Sequence, residues 1–250
     1  MTAGGGEGSA TPGGRRPGDP HESHPRPTLL SDFILGSQDG IVNVLGIILG
    51  LYAATTDLRI IIVATLAALG AESIAMAAVA YSSTLSRRRL YLSERRRELR
   101  EMEEVPDVER AEIREVLAAW GYTGASLEEM VDRICANPTA MLEFMMSFEL
   151  KLSPVEEGAA RTSAVIVGGA TVIGHFVPLI PFLLFRGDLT AAAAGAVILS
   201  GITLFAIGWY EARLTLGVWW QNGLQMALIG LAGGFAGFLI GHALAVTPGL

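Results

Sequence analysis

Residues 60–104 read IIIVATLAALGAESIAMAAVAYSSTLSRRRLYLSERRRELREMEE. The first half, Ile60–Tyr81, holds a single charge, Glu72, in an otherwise apolar or small-residue run. A helix needs about 20 such residues to cross a hydrocarbon core. The second half carries Arg87, Arg88, Arg89, Arg95, Arg96, Arg97 and Arg100 among strong helix formers, with no proline before Pro106. One helix is therefore expected to cross a bilayer and continue out into water.

The rest of the chain extends this contrast. Of its Asp, Glu, Lys and Arg residues, 11 lie in 1–85, 27 in 86–157 and 5 in 158–250, so two apolar regions flank a charged island. Besides Ile60–Tyr81, four segments are long enough to span: Phe33–Thr55, Thr162–Phe185, Thr190–Tyr210 and Gly217–Val246. The expected fold is an all-α membrane protein of five transmembrane helices, with a helical cytoplasmic domain between the second and third. Its divisions are a disordered tail over 1–29, helices one and two over 30–85, the inserted domain over 86–157 and helices three to five over 158–250. The tail is rich in Gly, Pro and Ser and too polar to offset its chain entropy. It lacks the apolar core of a signal peptide. Its His21 and His24 have a spacing that fits weak metal binding, but a solvated tail is the favoured reading.

Five spans put the termini on opposite sides. With the N-terminus cytoplasmic, only Arg59 and Arg186 of the 18 basic residues lie outside, as the positive-inside rule requires. A net charge of −7 gives no reason to expect nucleic acid. The single Cys135 excludes an internal disulfide framework. In the island, Pro106 breaks the first helix, Ser126 and Glu129 have the spacing of a capping box, and Pro138 interrupts the next helix before Thr139–Leu150. Gly46 and Gly50, and Gly230, Gly233, Gly234, Gly237 and Gly241, have the small-xxx-small spacing that lets helices approach closely in lipid.

Two groups of residues carry chemistry. An ionisable side chain at mid-membrane costs at least about 2.5–3.5 kcal/mol and needs a reason. Asp39, with Asn43 one turn on, and Glu72, with Met76 one turn on, fit a polar path of carboxylates and a thioether suited to a divalent transition metal; the rival reading puts Asp39 at the interface, pairs Glu72 structurally and makes Met76 ordinary packing. His175 fits a proton relay, a metal ligand or a structural histidine. Asp32 fits a helix N-cap or an entry ligand. In the island, Glu98 and Glu101 share a helix face, as do Glu109 and Glu112, and Met145 and Met146 sit one turn from Glu149. If the helix ran on, the four glutamates would fall within about 80° of arc. If it turned at Pro106, the two pairs would oppose one another. None of the four has an Arg or Lys four residues later, the partner an exposed helix face uses. Carboxylates with thioethers favour a transition-metal site over the other reading of such a run, a solvated charged face.

The chain resembles the vacuolar iron transporter family, in the branch with a cytoplasmic metal-binding domain between spans two and three. The resemblance rests on Asp39-Gly40-Ile41-Val42, on Ala71-Glu72-Ser73-Ile74-Ala75-Met76 through Tyr81, on the Glu98/Glu101 and Glu109/Glu112 pairs about Pro106, on Met145-Met146-Ser147-Phe148-Glu149, and on Gly174-His175-Phe176-Val177-Pro178-Leu179-Ile180-Pro181. It covers about residues 30–245. Ala75 stands where the family usually has Ser, and Ala77 and Val79 stand where it tends to have Gly.

The resemblance implies a homodimeric, non-enzymatic exporter that moves Fe²⁺ out of the cytosol in exchange for protons. Asp39, Glu72 and Met76, with Asn43 beside them, would line the path. Glu98, Glu101, Glu109, Glu112, Met145, Met146 and Glu149 would load the metal. The expected partners are divalent ions, protons, the lipid bilayer and a second copy of the chain, with no organic cofactor. Mn²⁺, Co²⁺, Ni²⁺ and Zn²⁺ also suit these ligands. The Ala/Gly/Arg-rich composition favours a bacterial cell membrane over a vacuolar one. Exchange also follows from chemistry, because a carboxylate must shed its proton to take a metal. The rival readings are a membrane-anchored ferroxidase and a passive divalent-metal channel. Ferroxidase sites use Glu-x-x-His motifs, and residues 86–157 contain no histidine.

Overall fold

The computed structural model describes residues 27–215 and 217–246, which are helical throughout apart from short connections, with no strand among them. His21, His24 and most of the expected tail lie outside the described residues. The elements are α1 (Pro27–Ala54), α2 (Leu58–Glu104), α3 (Pro106–Ala119), α4 (Gly124–Cys135), α5 (Pro138–Phe144), a π-helical turn (Met145–Glu149), α6 (Ala159–Leu184), α7 (Leu189–Leu214) and α8 (Trp219–Val246). Among the described residues, five helices are long and apolar enough to cross a membrane: α1, α2, α6, α7 and α8.

Local chemistry sets the ends of these helices. Asp57, in the turn after α1, caps α2 by accepting from the backbone N–H of Arg59 at 2.8 Å. Asp188 does the same for α7 through Ala191 N–H at 2.9 Å. Both short polar turns thus start the next span by satisfying donors that a helix N-terminus leaves open. α2 runs unbroken for 47 residues, about 70 Å, from the apolar run into the arginine-rich run. It stops at Val105, where Pro106 takes the first position of α3.

Three local expectations are corrected. The Ser126–Glu129 capping box does not form. α4 starts three residues earlier, with Thr123 at the cap position and Gly124 first in the helix, so Ser126 falls inside its first turn, donating to Thr123 O at 2.9 Å, while Glu129 accepts from Arg133. Pro138 begins a helix instead of interrupting one, since a missing N–H costs nothing at a first position; Asn137 caps it, accepting from Thr139 N–H at 3.0 Å. Asp32 is no N-cap, because α1 already begins at Pro27.

Among the apolar helices α1 is central, packed between α6 and α8, while α2 leans on α6 and α7 on α8. The glycine faces of α1 and α8 meet within one chain. A Cβ at Gly237 or Gly241 would drive into the backbone of Gly46 or Gly50, so these backbones touch directly. The principal core, with Val44, Leu45, Ile48, Ile61, Leu179 and Phe182, joins α1, α2, α6 and α7. A separate core of Ile113, Leu117, Val131, Met141, Phe144 and Met145 holds α3, α4, α5 and the π turn together. Arg114 bridges α3 to α4 through Glu128 at 2.7 Å.

Candidate functional site

Two polar groups stand out, both built on α2. The first lies in its apolar half. Asn43 Nδ2 donates to Asp39 Oδ1 at 3.1 Å, one turn along α1, and also to Glu72 Oε1 on α2. The other Glu72 oxygen, Oε2, lies 2.9 Å from His175 Nε2 on α6. Three spans therefore contribute to one hydrogen-bonded chain, Asp39–Asn43–Glu72–His175. Gly40 makes the approach of α1 to α6 feasible: a Cβ there would sit 2.9 Å from His175 Nδ1. His175 is fully buried, whereas Asn43 is exposed and Asp39 and Glu72 half-buried, so the chain opens on the Asn43 side. Met76 is half-buried one turn beyond Glu72 on α2.

The second group lies at the far end of α2. Of the two geometries compatible with Pro106, the chain takes the turn: Glu98 and Glu101 on α2 meet Glu109 on α3, with one ligand oxygen from each within 4.8 Å of the others. Glu98 and Glu109 are buried, and the Oε2 of each has no hydrogen-bond partner. Unpaired buried carboxylate oxygens are costly to keep. Burial, then the Glu98 and Glu112 charges, push the Glu109 carboxyl up to about 7. Burial and Glu149 raise Glu98, and burial and Glu112 raise Glu149. Glu101 and Glu112 add to the negative field on all three of these carboxyls. Glu101 also accepts from Arg97 Nε at 3.0 Å. Glu94, which the sequence reading did not select, adds to the negative field on Glu149.

The π turn bounds this group. Its wider winding, closed by the Leu150 N–H to Met145 O bond at 3.0 Å, buries Met145 and Met146 while leaving Glu149 half-buried. Such turns interrupt helices at functional sites more often than elsewhere. Trp120 braces it, with its ring 4.9 Å from Phe148 and 5.8 Å from Phe144. Met145 packs into the second core. The signal that could have joined His175 to Glu72 was weak: a lone histidine in an apolar run, 103 residues from its partner.

The chain matches the VIT family over residues 30–242. It is similar to vacuolar iron transporter 1 of Arabidopsis thaliana, 31% identical over 212 residues that cover 85% of this chain and 84% of the relative. It is 33% identical to vacuolar iron transporter 1 of Eucalyptus grandis over 210 residues, 84% of each. Protein CCC1 of Saccharomyces cerevisiae is 25% identical over 223 residues, 86% of this chain and 69% of that protein.

Proposed function

This chain belongs to the VIT family, and from that premise we propose that it exports Fe²⁺ from the cytosol in exchange for protons. The family is one of transporters, not enzymes, and the chain is a multi-pass membrane protein whose relatives carry iron in their names. The observation that carries the finer reading is that one uninterrupted helix contributes to both polar groups, about 39 Å apart between Glu72 and Glu98. In this reading Glu98, Glu101 and Glu109, with Glu112, Glu149, Met145 and Met146 around them, collect the ion on the cytoplasmic side. Asp39, Asn43, Glu72 and Met76 pass it through the bilayer.

Exchange rests on competition at the carboxylates. A dication displaces protons from the ligands it binds, and a return of protons from the far side resets them. The arginines that follow the second span support a cytoplasmic placement of α3–α5 and of the N-terminus, in a bacterial cell membrane. Other first-row dications fit the same donors, so selectivity among them is a property of the path. A homodimer is supported by the exposure of Asn43 at membrane depth, since a polar side chain there calls for a protein or water neighbour. The apolar face of α2, with Val63, Ile74 and Val79 open, provides area for a second copy.

The test is the full chain in sealed liposomes with metal-sensitive and pH-sensitive dyes read together. Fe²⁺ movement with opposite proton movement is expected. Metal movement without proton movement would support the passive channel instead.

A further inference from the structure

His175 has a more definite geometry than a packing residue needs. Its Nδ1 lies 2.7 Å from the carbonyl oxygen of Thr171. A carbonyl only accepts, so Nδ1 carries the proton and donates it. Nε2 lies 2.9 Å from Glu72 Oε2, a contact that needs one proton held between imidazole and carboxyl, and an ion that displaces this proton meets Nε2 as an electron-pair donor. The ring cannot retreat, because it is fully buried and the Gly40 backbone closes over Nδ1. A backbone carbonyl that fixes one ring nitrogen and aims the other is the arrangement that supports metal-bound histidines.

The surroundings point the same way. Glu72 Oε1 is already engaged by Asn43, which also bonds Asp39, so two carboxylates, a carboxamide and an imidazole converge from three helices. Among the described residues, no Lys or Arg forms an ion pair with Asp39 or Glu72; the one ion-pair partner is His175 itself. Two acidic groups at membrane depth without a fixed cationic side chain leave room for a mobile dication. An all-oxygen donor set suits Mg²⁺, Ca²⁺ and Mn²⁺, and one imidazole shifts the preference towards later first-row metals.

We propose that His175 Nε2 is a direct ligand of the ion in transit, beside Glu72, and that this nitrogen makes the path favour Co²⁺ and Zn²⁺ over Mn²⁺. The proposal rests on the metal-transport reading and adds to it a residue that sets specificity. The test is uptake by the full chain in liposomes, with Co²⁺ and Mn²⁺ measured separately for the wild type and His175→Gln. The variant is expected to raise the KM for Co²⁺ about tenfold and that for Mn²⁺ by a clearly smaller factor. Equal shifts for both ions, or no shift in either, overturn the proposal, because a residue that only positions Glu72 affects both alike.

A second measurement covers a variant that fails to fold or a wild type that moves neither ion. With His21, His24 and His242 replaced by alanine, His175 is the chain's remaining histidine, and Glu98→Gln, Glu101→Gln and Glu109→Gln in the same chain remove the outer carboxylate group as a competing zinc site. X-ray absorption at the zinc edge is then expected to show imidazole scattering from bound Zn²⁺. A shell of oxygen and sulfur alone overturns the assignment. Imidazole scattering in a chain that transports nothing keeps His175 as a ligand and sinks the transport reading.

Discussion

Glu98 on α2 and Glu109 on α3 face each other across the break at Val105, each with a buried carboxylate oxygen that has no partner. Two unpaired acids held this close are tolerable in two states: with a proton between them, or with a cation. Burial and the neighbouring glutamates hold Glu109 near 7, so both states are reachable around neutrality.

Metal binding by the glutamate cluster should strengthen as pH rises through about 7, with proton release on binding below that point. Calorimetry in buffers of different ionisation enthalpy measures the release directly. A proton count of zero at pH 6 would contradict the shared-proton state.

The metal-free protein should show the opposite trend. The Glu109 carboxyl is raised from 4.5 in the fold, so the folded state binds more protons than the unfolded state between 4.5 and about 7. Its stabilising contribution is present in full below 4.5 and lost as pH rises through 7. Glu98 and Glu149 are raised too and act in the same direction. Thermal melts of the metal-free chain from pH 5 to 8 should decline, and added divalent ion should restore the midpoint at pH 8.

Replacing Glu98→Gln together with Glu101→Gln should weaken divalent binding at the cluster by about tenfold or more, the scale on which lost ligand support acts. Glu109→Gln should weaken it as well, yet raise the melting temperature of the metal-free chain at pH 8 by removing a buried like charge. Titration calorimetry and melts on the same preparations test the pairing of the two effects.

Asp39→Asn should abolish metal-dependent proton movement in liposomes while leaving the folded chain intact, since an amide can replace the hydrogen bond from Asn43 but cannot exchange a proton. Coupled flux at the original rate would remove Asp39 from the path.

Gly237→Leu should destabilise the chain by about 1–3 kcal/mol or more through overpacking, because its side chain would enter the Gly46 backbone. Gly169→Ala, where a Cβ meets nothing, should be neutral or stabilising by about 0.5–1 kcal/mol. Aggregation onset in detergent separates the two.

The five long helices are readable from composition because a bilayer demands length and apolarity and little else. The continuation of the second span into α2 is readable for a similar reason: nothing between Tyr81 and Glu104 can stop a helix. The α1–α8 contact is only half readable, since glycine spacing marks a close-packing face but not its partner. The turn at Val105 was one of two outcomes that Pro106 allows, and the second core decided it by pulling Ile113 and Leu117 of α3 against Val131 and Phe144. His175 and Glu72 could not be joined by pattern, because their meeting depends on how α6 rotates against α2. The start of α4 was misplaced because Gly124, at φ +59°, lets the chain turn into the helix two residues before Ser126.

The unbroken α2 makes the angular phase between the two polar groups a fixed property of the sequence. Each residue added between Tyr81 and Glu94 would swing the outer carboxylates by about 100° around the rod and lift them by about 1.5 Å. Seven added residues would nearly restore the phase, while two would turn the cluster almost to the opposite side. The stem therefore behaves as an indexed shaft: its length in residues, more than the identity of most of them, aligns the two ends.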